Sequence, residues 1–303
     1  MRRIACWLLF PLIVSAMLVY ALWTPSLDFA GWLGLPAAAN AALRPLSAIA
    51  LFYPTIAVLE RALPYRPEWN RSHGDVRTDV LHLVFTGQGA QGLFLALAAG
   101  PLIALSGSVS ASASAPLWPS GWPALAQLAL ALVLGELGHY AFHRLSHESP
   151  WVWRLHAAHH SAPRLYWLNA TRFNVLDLFV LISCEALPLA LLGAGVDTLG
   201  PYFAFRAVYG QLQHCNVEMR TPRWLDWLWS SPGVHRWHHS TVSREGNTNY
   251  GAVLNVWDHV FHSYFRPDAP FAGPVGIGQL PHFPRGYLAQ QLAPFRWARV
   301  RLG

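Results

Sequence analysis

The chain has 303 residues, of which 53% are hydrophobic and only 12% are charged. Soluble domains average about 25% charged residues, so this composition excludes a disordered polymer, a coiled coil and a typical cytosolic enzyme surface. An integral membrane protein or an unusually buried globule remains. The net charge of +6 comes from 21 Arg and no Lys, and these Arg are too scattered to indicate nucleic-acid binding. The three distant Cys exclude a disulfide framework, a Cys-rich zinc site and a four-thiolate cluster.

Apolar runs mark candidate membrane spans along the chain. Residues 4–23 form a run that matches the length of about 20 residues needed to cross a bilayer core. Two Arg precede this run, so a signal peptide is the alternative, but no small-residue cleavage site ends it and we expect an uncleaved anchor. Further runs cover 45–59, 80–105 and 123–142. The stretch 175–209 is interrupted near 193–200, and we interpret it as a hairpin of two short helices that enter the membrane and return.

The distribution of Arg predicts the orientation. With the N-terminus inside, the outer loops are about 24–43, 107–121 and 194–199, and none of them contains an Arg. Every Arg except Arg44 and Arg206 then lies on the inner side. Because positive residues favour the cytoplasmic side, the N-terminus and both large inner segments, 143–173 and 214–303, are predicted to be cytoplasmic, most simply at a bacterial inner membrane.

The expected fold is an all-α membrane bundle of about four spans plus the re-entrant hairpin, with a cytosolic His-rich helical cap. Residues 223–229 (RWLDWLW) are expected to form a helix lying on the bilayer surface. No repeat or long linker divides the chain, so one membrane domain is the simplest interpretation. Its parts are N-terminal spans at 1–60, a catalytic region at 61–265 and an irregular, Pro-rich tail at 266–303.

The histidines carry the chemistry. Three His are spaced four residues apart and form the first cluster. In each of two further clusters, one His is followed by two more, three and four residues later. A single His stands at the end of the hairpin. Such spacings place the rings of each cluster on one face of a helix. The residues are His139, His143 and His147; His156, His159 and His160; His235, His238 and His239; and His214.

Imidazole is a common ligand for zinc, copper, iron and nickel, and burying many imidazoles without partners is costly. A structural zinc needs four ligands, so eight to ten His suggest two metals. His73, His82, His259, His262 and His282 lack such spacing and are interpreted as ordinary polar residues. Glu136, Asp177, Asn216, Asn249 and Asp258 are candidates to orient imidazole N–H groups, although Glu136 fits a helix cap or an ion pair equally well.

The order HxxxHRxxH, HxxHH and HxxHH resembles the fatty acid hydroxylase/sterol desaturase superfamily of integral-membrane oxygenases. The resemblance runs from about residue 55 to 265. It extends to Glu60–Arg61, Gly74–Asp75, Thr78–Asp79, His160–Pro163, Gln213–His214, Asn216, Asn249–Gly251 and Trp257–Asp258. Two places depart from the pattern: Asn174, Val175 and Asp177 stand where the family often has His-Pro and Glu, and His259 and His262 stand where Arg and Gly are usual.

The resemblance implies a non-haem di-iron pair held by the ten clustered His, with zinc as a substitute in purified protein and O2 as co-substrate. It implies hydroxylation or desaturation of a lipid, sterol or fatty acyl, taken from the bilayer. The chain has no dinucleotide-binding motif, fused haem domain or cluster Cys set, so a separate electron donor of the ferredoxin or b-type cytochrome class is expected. Four inner Arg either attract such an acidic partner or contact phospholipid headgroups: Arg220, Arg223, Arg236 and Arg244.

Three other functions compete with this one. The main alternative is a His-rich membrane protein that binds or transports metal without oxygenase activity. A zinc hydrolase needs fewer ligands than the chain offers. A di-haem cytochrome needs His pairs deep in opposing spans, whereas these clusters lie in loops and at helix ends.

Overall fold

The computed structural model of the protein describes residues 2–112, 117–280 and 282–302. Over these ranges the regular structure is helical with three isolated β-bridges, which confirms the predicted all-α class. The helices are α1 (Arg2–Trp23), α2 (Phe29–Trp32), α3 (Asn40–Ala62), α4 (Val76–Leu81), α5 (Gln88–Leu93), α6 (Gly100–Ser112), α7 (Ala124–Glu148), α8 (Trp153–His160), α9 (Val175–Leu191), α10 (Val196–His214), α11 (Arg223–Leu228), α12 (Pro232–His238), α13 (Ser243–Gly246), α14 (Val256–Val260), α15 (Tyr287–Leu292) and α16 (Trp297–Leu302).

Four helical segments are long and apolar enough to cross a membrane: Ile4–Ser26, Ala37–Ala62, Val76–Val109 and Ala124–Glu148. They coincide with the four predicted runs, and each continues beyond the predicted end of its run. The third segment joins α4, α5 and α6 through two π-helical stretches, His82–Gly87 and Phe94–Ala99. α6 continues to Ser112 within the predicted outer loop 107–121, of which residues 113–116 lie outside the described residues.

The buried core lies where α1, α3, α7 and α10 meet. Phe10 and Met17 of α1 are almost fully buried there, beside Tyr202 and Phe205 of α10. The first apolar run thus supplies core side chains to the bundle, and its role as an uncleaved anchor stays a prediction. The predicted hairpin is present as α9 and α10, and α10 is a central helix of the bundle.

α7 and α9 approach each other unusually closely. A Cβ atom added at Gly138 of α7 would lie 1.8 Å from the carbonyl oxygen of Cys184 in α9. Small residues allow membrane helices to approach in this way, and van der Waals packing replaces the hydrophobic effect as the force between them. This contact fixes the height of the α7 histidines relative to the acidic residues of α9.

The two Arg that depart from the inner-side rule have local partners. The guanidinium of Arg44 donates to the backbone carbonyls of Pro25 and Leu27 and closes the turn after α1. Arg206 is half-buried inside the bundle, where it forms an ion pair with Glu185. Each exception therefore satisfies a local polar group.

The two large segments that were predicted to lie inside, 143–173 and 214–303, gather at the end of the bundle that carries the clustered histidines. The predicted helix at 223–229 is present as α11, with Trp224 and Trp227 exposed and Asp226 buried; its contact with the bilayer remains a prediction. Among its described residues, the tail is irregular only as far as Gly286; α15 then packs against α4, and Ala293, Trp297 and Val300 pack against α8. The side-chain oxygen of Gln290 in α15 accepts a hydrogen bond from the Nε2 atom of buried His82, at 2.8 Å.

Candidate metal centre

Four helices bring the clustered histidines to one place. α7 presents His139, His143 and His147 from its last turns, and α8 presents the second cluster. α10 ends at His214, and α12 carries His235 and His238, with His239 directly after it. His147 is partly exposed, and the other nine imidazoles are buried.

Nine of these residues form two groups that could each hold a metal ion, with the ligand atoms of each group within 4.8 Å of one another. The first group takes members from α7, α8 and α12, and the second takes members from α8, α10 and α12. The first group is His143, His147, His156, His160 and His238, and the second is His159, His214, His235 and His239.

The two groups adjoin. The rings of His160 and His239, which belong to different groups, are stacked with their centroids 4.5 Å apart. His156 and His159 are similarly close, at 5.2 Å. Each HxxHH cluster divides its members between the groups, so two ions bound here would be neighbours in one pocket.

In the first group, hydrogen bonds at the Nδ1 atoms orient the rings. The Nδ1 atom of His143 bonds to the Tyr250 carbonyl oxygen at 2.7 Å, and that of His238 bonds to the Thr248 carbonyl oxygen at 2.8 Å. The carboxylate of Asp177 accepts from the Nδ1 atom of His156 at 2.9 Å. A carbonyl or carboxylate oxygen only accepts, so these rings carry their proton on Nδ1 and leave Nε2 with a free lone pair.

The Nε2 atoms of all five rings in the first group are buried and have no hydrogen-bond partner. Buried polar atoms are rarely left in this state, because each costs about 1–3 kcal/mol. Five convergent lone pairs on neutral rings fit a bound cation, which would satisfy all of them together. The donor set therefore fits a metal ion on an observation independent of the sequence motifs.

In the second group, ring nitrogens also converge, but here they lie within hydrogen-bond distance of one another. The Nε2 atom of His235 lies 3.0 Å from the Nε2 atoms of both His214 and His239. His214 also bonds through Nδ1 to the Asn169 side-chain oxygen at 3.1 Å. The single proton of a neutral His235 ring cannot serve both neighbours, whereas one cation could bind all three nitrogens.

Burial keeps these rings neutral. It is the largest cause that holds the pKa of six histidines well below the usual value of 6.5, and the neighbouring imidazoles lower it further. These residues are His156, His159, His160, His235, His238 and His239. Neutral imidazole is the form that binds metal, so the pocket is prepared for cations at neutral pH.

Known proteins have sequences similar to this chain. The sequence model of the fatty acid hydroxylase family covers residues 128–263, which include all ten histidines. The ornithine lipid hydroxylase OlsE of Rhizobium tropici is 40% identical over 245 residues, which cover 79% of this chain and 72% of that protein. The chain belongs to the fatty acid hydroxylase family. The predicted resemblance is thereby confirmed.

Relatives with lower sequence identity to this chain are named as monooxygenases. Human alkylglycerol monooxygenase is 29% identical over 129 residues, which cover 43% of this chain and 28% of that protein. Methylsterol monooxygenase erg25B of Aspergillus fumigatus is 25% identical over 165 residues, 52% of this chain and 54% of that protein. No solved structure matches the chain. Relatives named as hydroxylases and monooxygenases identify this family member as an oxidoreductase.

His139 belongs to neither of the two groups. Its Nδ1 atom bonds to Glu185 at 2.8 Å, and Arg206 forms an ion pair with the same carboxylate. The ring still contacts that of His143, with a centroid distance of 5.3 Å. Regular helical spacing places His139 one turn deeper in the bundle than His143, at the level of the α9 carboxylate.

Of the five residues expected to orient imidazole groups, Asp177 bonds directly to a histidine. Glu136 instead uses both carboxylate oxygens to accept the backbone N–H groups of Ala252 and Val253, at 2.9 and 3.0 Å, in the loop before α14, so these contacts are neither a helix cap nor an ion pair. Asp258 accepts the N–H groups of Tyr250 and Gly251, and so fixes the carbonyl that His143 uses.

The two asparagines also bond to other groups than imidazoles. Asn216 exchanges hydrogen bonds with the backbone of Arg66, and Asn249 does so with the backbone of Phe265. Asn249 has a positive φ of 55°, a conformation that asparagine tolerates better than most residues. Buried loop backbone needs partners, and these amides supply them where the sequence suggested ring contacts.

Several residues that bond to the histidines were not predicted from the sequence. Glu185 bonds to His139, and Asn169 bonds to His214. Asn247 bonds to the Nδ1 atom of His147 at 3.1 Å. Glu185 could have been predicted, because an acidic residue within an apolar helix needs a polar partner. The backbone carbonyls of residues 248 and 250 could not, because every residue has a backbone carbonyl and its bonding does not depend on the side chain.

Proposed function

We propose that the protein is a membrane oxygenase that binds two iron ions and uses O2 to hydroxylate a membrane lipid. The observation that carries this proposal is the pair of adjoining all-histidine groups, with five buried Nε2 atoms that lack partners. Nine histidines are divided five and four, and this fits two ions better than one. The names of the relatives support a hydroxylase rather than a desaturase.

Iron is proposed because the family's oxidation chemistry needs a redox-active metal, although nitrogen ligands also suit zinc. A reduced iron pair supplies the activation of O2 for attack on a C–H bond. The chain's own residues hold the geometry. Tyr250 and Thr248 fix two rings through their carbonyls, and Asp177 fixes a third. Phe173 stacks on His159 with centroids 4.0 Å apart, and this contact excludes water from one side of the pocket.

We propose that the substrate is an acyl lipid, as the name of the ornithine lipid hydroxylase suggests. An apolar groove of about 400 Å³ runs between α7 and α9. Ala141, Phe142 and Leu145 line it from α7, and Ala141 and Leu145 lie on the face of this helix opposite His143. An acyl chain in the bilayer could reach the metal-bearing end of α7 along this groove.

The proposed orientation is N-terminus inside, with the metal centre at the cytoplasmic surface. Its support is the absence of Arg from the predicted outer loops and the Trp-rich exposed face of α11. Electrons would come from a separate protein of the ferredoxin or b-type cytochrome class, because the sequence lacks a binding motif for a redox cofactor of its own.

The test is turnover of the purified, iron-loaded protein in lipid vesicles, with a ferredoxin and its reductase as the electron source. Under 18O2 we expect a lipid product heavier by one 18O atom, and no product from a His159→Ala/His239→Ala variant. Binding of two metal ions without any O2 consumption by the wild-type protein would overturn the oxygenase proposal. Metal flux across the vesicle membrane in the same preparation would support the transport alternative.

A further inference from the structure

A second cavity lies behind α12, on the helix face opposite the metal-binding rings. His235, His238 and His239 face the metal pocket, whereas Arg236 and Trp237 point the other way, as the helical period requires. The volume of the cavity is about 760 Å³. Its other walls come from the inner end of α1 and from residues 64–67, 218–221 and 266–272.

The lining is strongly cationic. Four Arg line the cavity, against two carboxylates: Arg66, Arg220, Arg236 and Arg266, with Glu218 and Asp268. Arg220 forms an ion pair with Glu218 at 3.0 Å, and Arg266 pairs with Asp226 outside the cavity at 2.8 Å. Asp268 pairs with Arg223. Among the described residues, Arg66 and Arg236 form no ion pair with a carboxylate.

Arg236 is an unusual cation because only 2% of it is exposed. One terminal nitrogen donates to the carbonyls of Cys215 and Val217, both at 3.0 Å, while its buried Nε atom has no partner. A buried guanidinium with an unpartnered N–H, at the same cavity as a second Arg that has no carboxylate partner in the described part of the chain, fits a bound anion.

The cavity lies at the depth of lipid headgroups. Trp7, in the first turns of the first apolar span, forms part of its wall and is 47% exposed. The backbone N–H of Arg220 donates to the Cys6 carbonyl, which joins the cavity wall to α1 at 2.9 Å. Indole rings settle at the membrane–water interface, and basic pockets between membrane helices bind anionic headgroups there.

We propose that this cavity binds the headgroup phosphate of an anionic membrane phospholipid, through Arg66 and Arg236. The site is concave and includes a buried cation, which suits a small anionic group better than the flat face of an acidic redox protein. The lipid bound here is distinct from the substrate, since the cavity is separated from the metal groups by the thickness of α12. The metals take no part in this proposal, and it can be tested on metal-free protein.

The experiment measures lipid binding to the full chain by native mass spectrometry in detergent. Phosphatidylglycerol and phosphatidylcholine are compared, with inorganic phosphate as a competitor. We expect preferential binding of phosphatidylglycerol. Arg66→Gln should weaken this binding about tenfold, the size of one charge-assisted hydrogen bond. Arg66→Lys should retain most of it. Arg71→Gln is the matched control, because Arg71 is exposed and lies outside the cavity.

Equal binding of the two lipids by the wild-type protein would overturn the proposal, and this comparison holds even if a variant fails to fold. Unchanged phosphatidylglycerol binding by folded Arg66→Gln would also overturn it. Displacement of the lipid by millimolar inorganic phosphate would show a site for the free ion instead. If Arg66→Gln weakens binding of an acidic ferredoxin but not of phosphatidylglycerol, the cavity is a protein-docking site and the lipid proposal is wrong.

Discussion

Replacing Asp177 tests how the first metal group is held. Its carboxylate accepts from the Nδ1 atom of His156 at 2.9 Å, and neither residue is exposed by more than 1%. Asp177→Leu leaves that N–H without its acceptor in a dry site, which costs about 1–3 kcal/mol. The ring then loses its fixed tautomer. Loss of such partners lowers metal affinity about 10- to 100-fold, which corresponds to about 1.4–2.8 kcal/mol and agrees with the cost of the unpaired N–H.

The structure also predicts the order of a small series. Asp177→Asn can still present an amide oxygen to His156, but its NH2 group would occupy the position of Oδ1, which has no partner. Its metal affinity should therefore lie between those of the wild-type protein and Asp177→Leu. Asp197→Asn is the control, because Asp197 is exposed at the start of α10. All variants would be titrated with a chelator after anaerobic iron loading, and the iron that remains would be counted.

The effect should be confined to one ion, because His156 belongs to the first group only. One of the two titration steps should shift and the other should stay. Wild-type affinity at both steps in Asp177→Leu would refute the proposed role of the His156–Asp177 contact. An equal shift of both steps, together with a lower thermal midpoint, would show that the substitution damages the fold rather than one metal site.

Three further predictions follow from the same geometry. The His238→Ala variant should lose the ion of the first group, and the His239→Ala variant should lose the ion of the second group, so that each variant keeps about one metal ion per chain. Loss of both ions from either variant would contradict two separable groups. Ala141→Trp should fill the groove between α7 and α9 and lower turnover about tenfold at unchanged metal content. Leu125→Trp, on the exposed surface of the same helix, should leave turnover unchanged. Equal turnover in both variants would exclude the groove as the lipid path. The metal-free protein should unfold more easily as the pH falls below about 6.5, because the buried histidines have lowered pKa values and the unfolded chain therefore takes up more protons than the folded one. Its thermal midpoint should be constant above that pH. A midpoint that rises on acidification would contradict neutral, buried rings.

Local sequence was sufficient for the elements that depend on neighbouring residues. Apolar length predicted the four candidate spans, and the interruption near Gly193 predicted the division between α9 and α10. Periodicity alone placed three rings on one face of α7. These are properties of a single helix, so they need no knowledge of what packs against it.

The division of the histidines into two groups could not be read from their spacing. His159 and His160 are adjacent in sequence but belong to different groups, because successive residues on a helix point about 100° apart and meet different neighbours. The exclusion of His139 follows from the close contact of Gly138 with Cys184, which brings Glu185 to its ring. Helix-to-helix distances of this kind arise only when two distant segments pack.

The sequence by itself determined that this chain is a membrane protein with many imidazoles gathered near one end of its spans, since hydropathy and helical period act over a few residues. The tertiary structure alone decided which rings converge into each of the two candidate metal-binding groups, which oxygens orient them, and that Arg236 is buried behind α12 rather than spread on an open basic surface. Those outcomes depend on backbone carbonyls and on the approach of remote helices, and neither is encoded in the spacing of side chains along the chain.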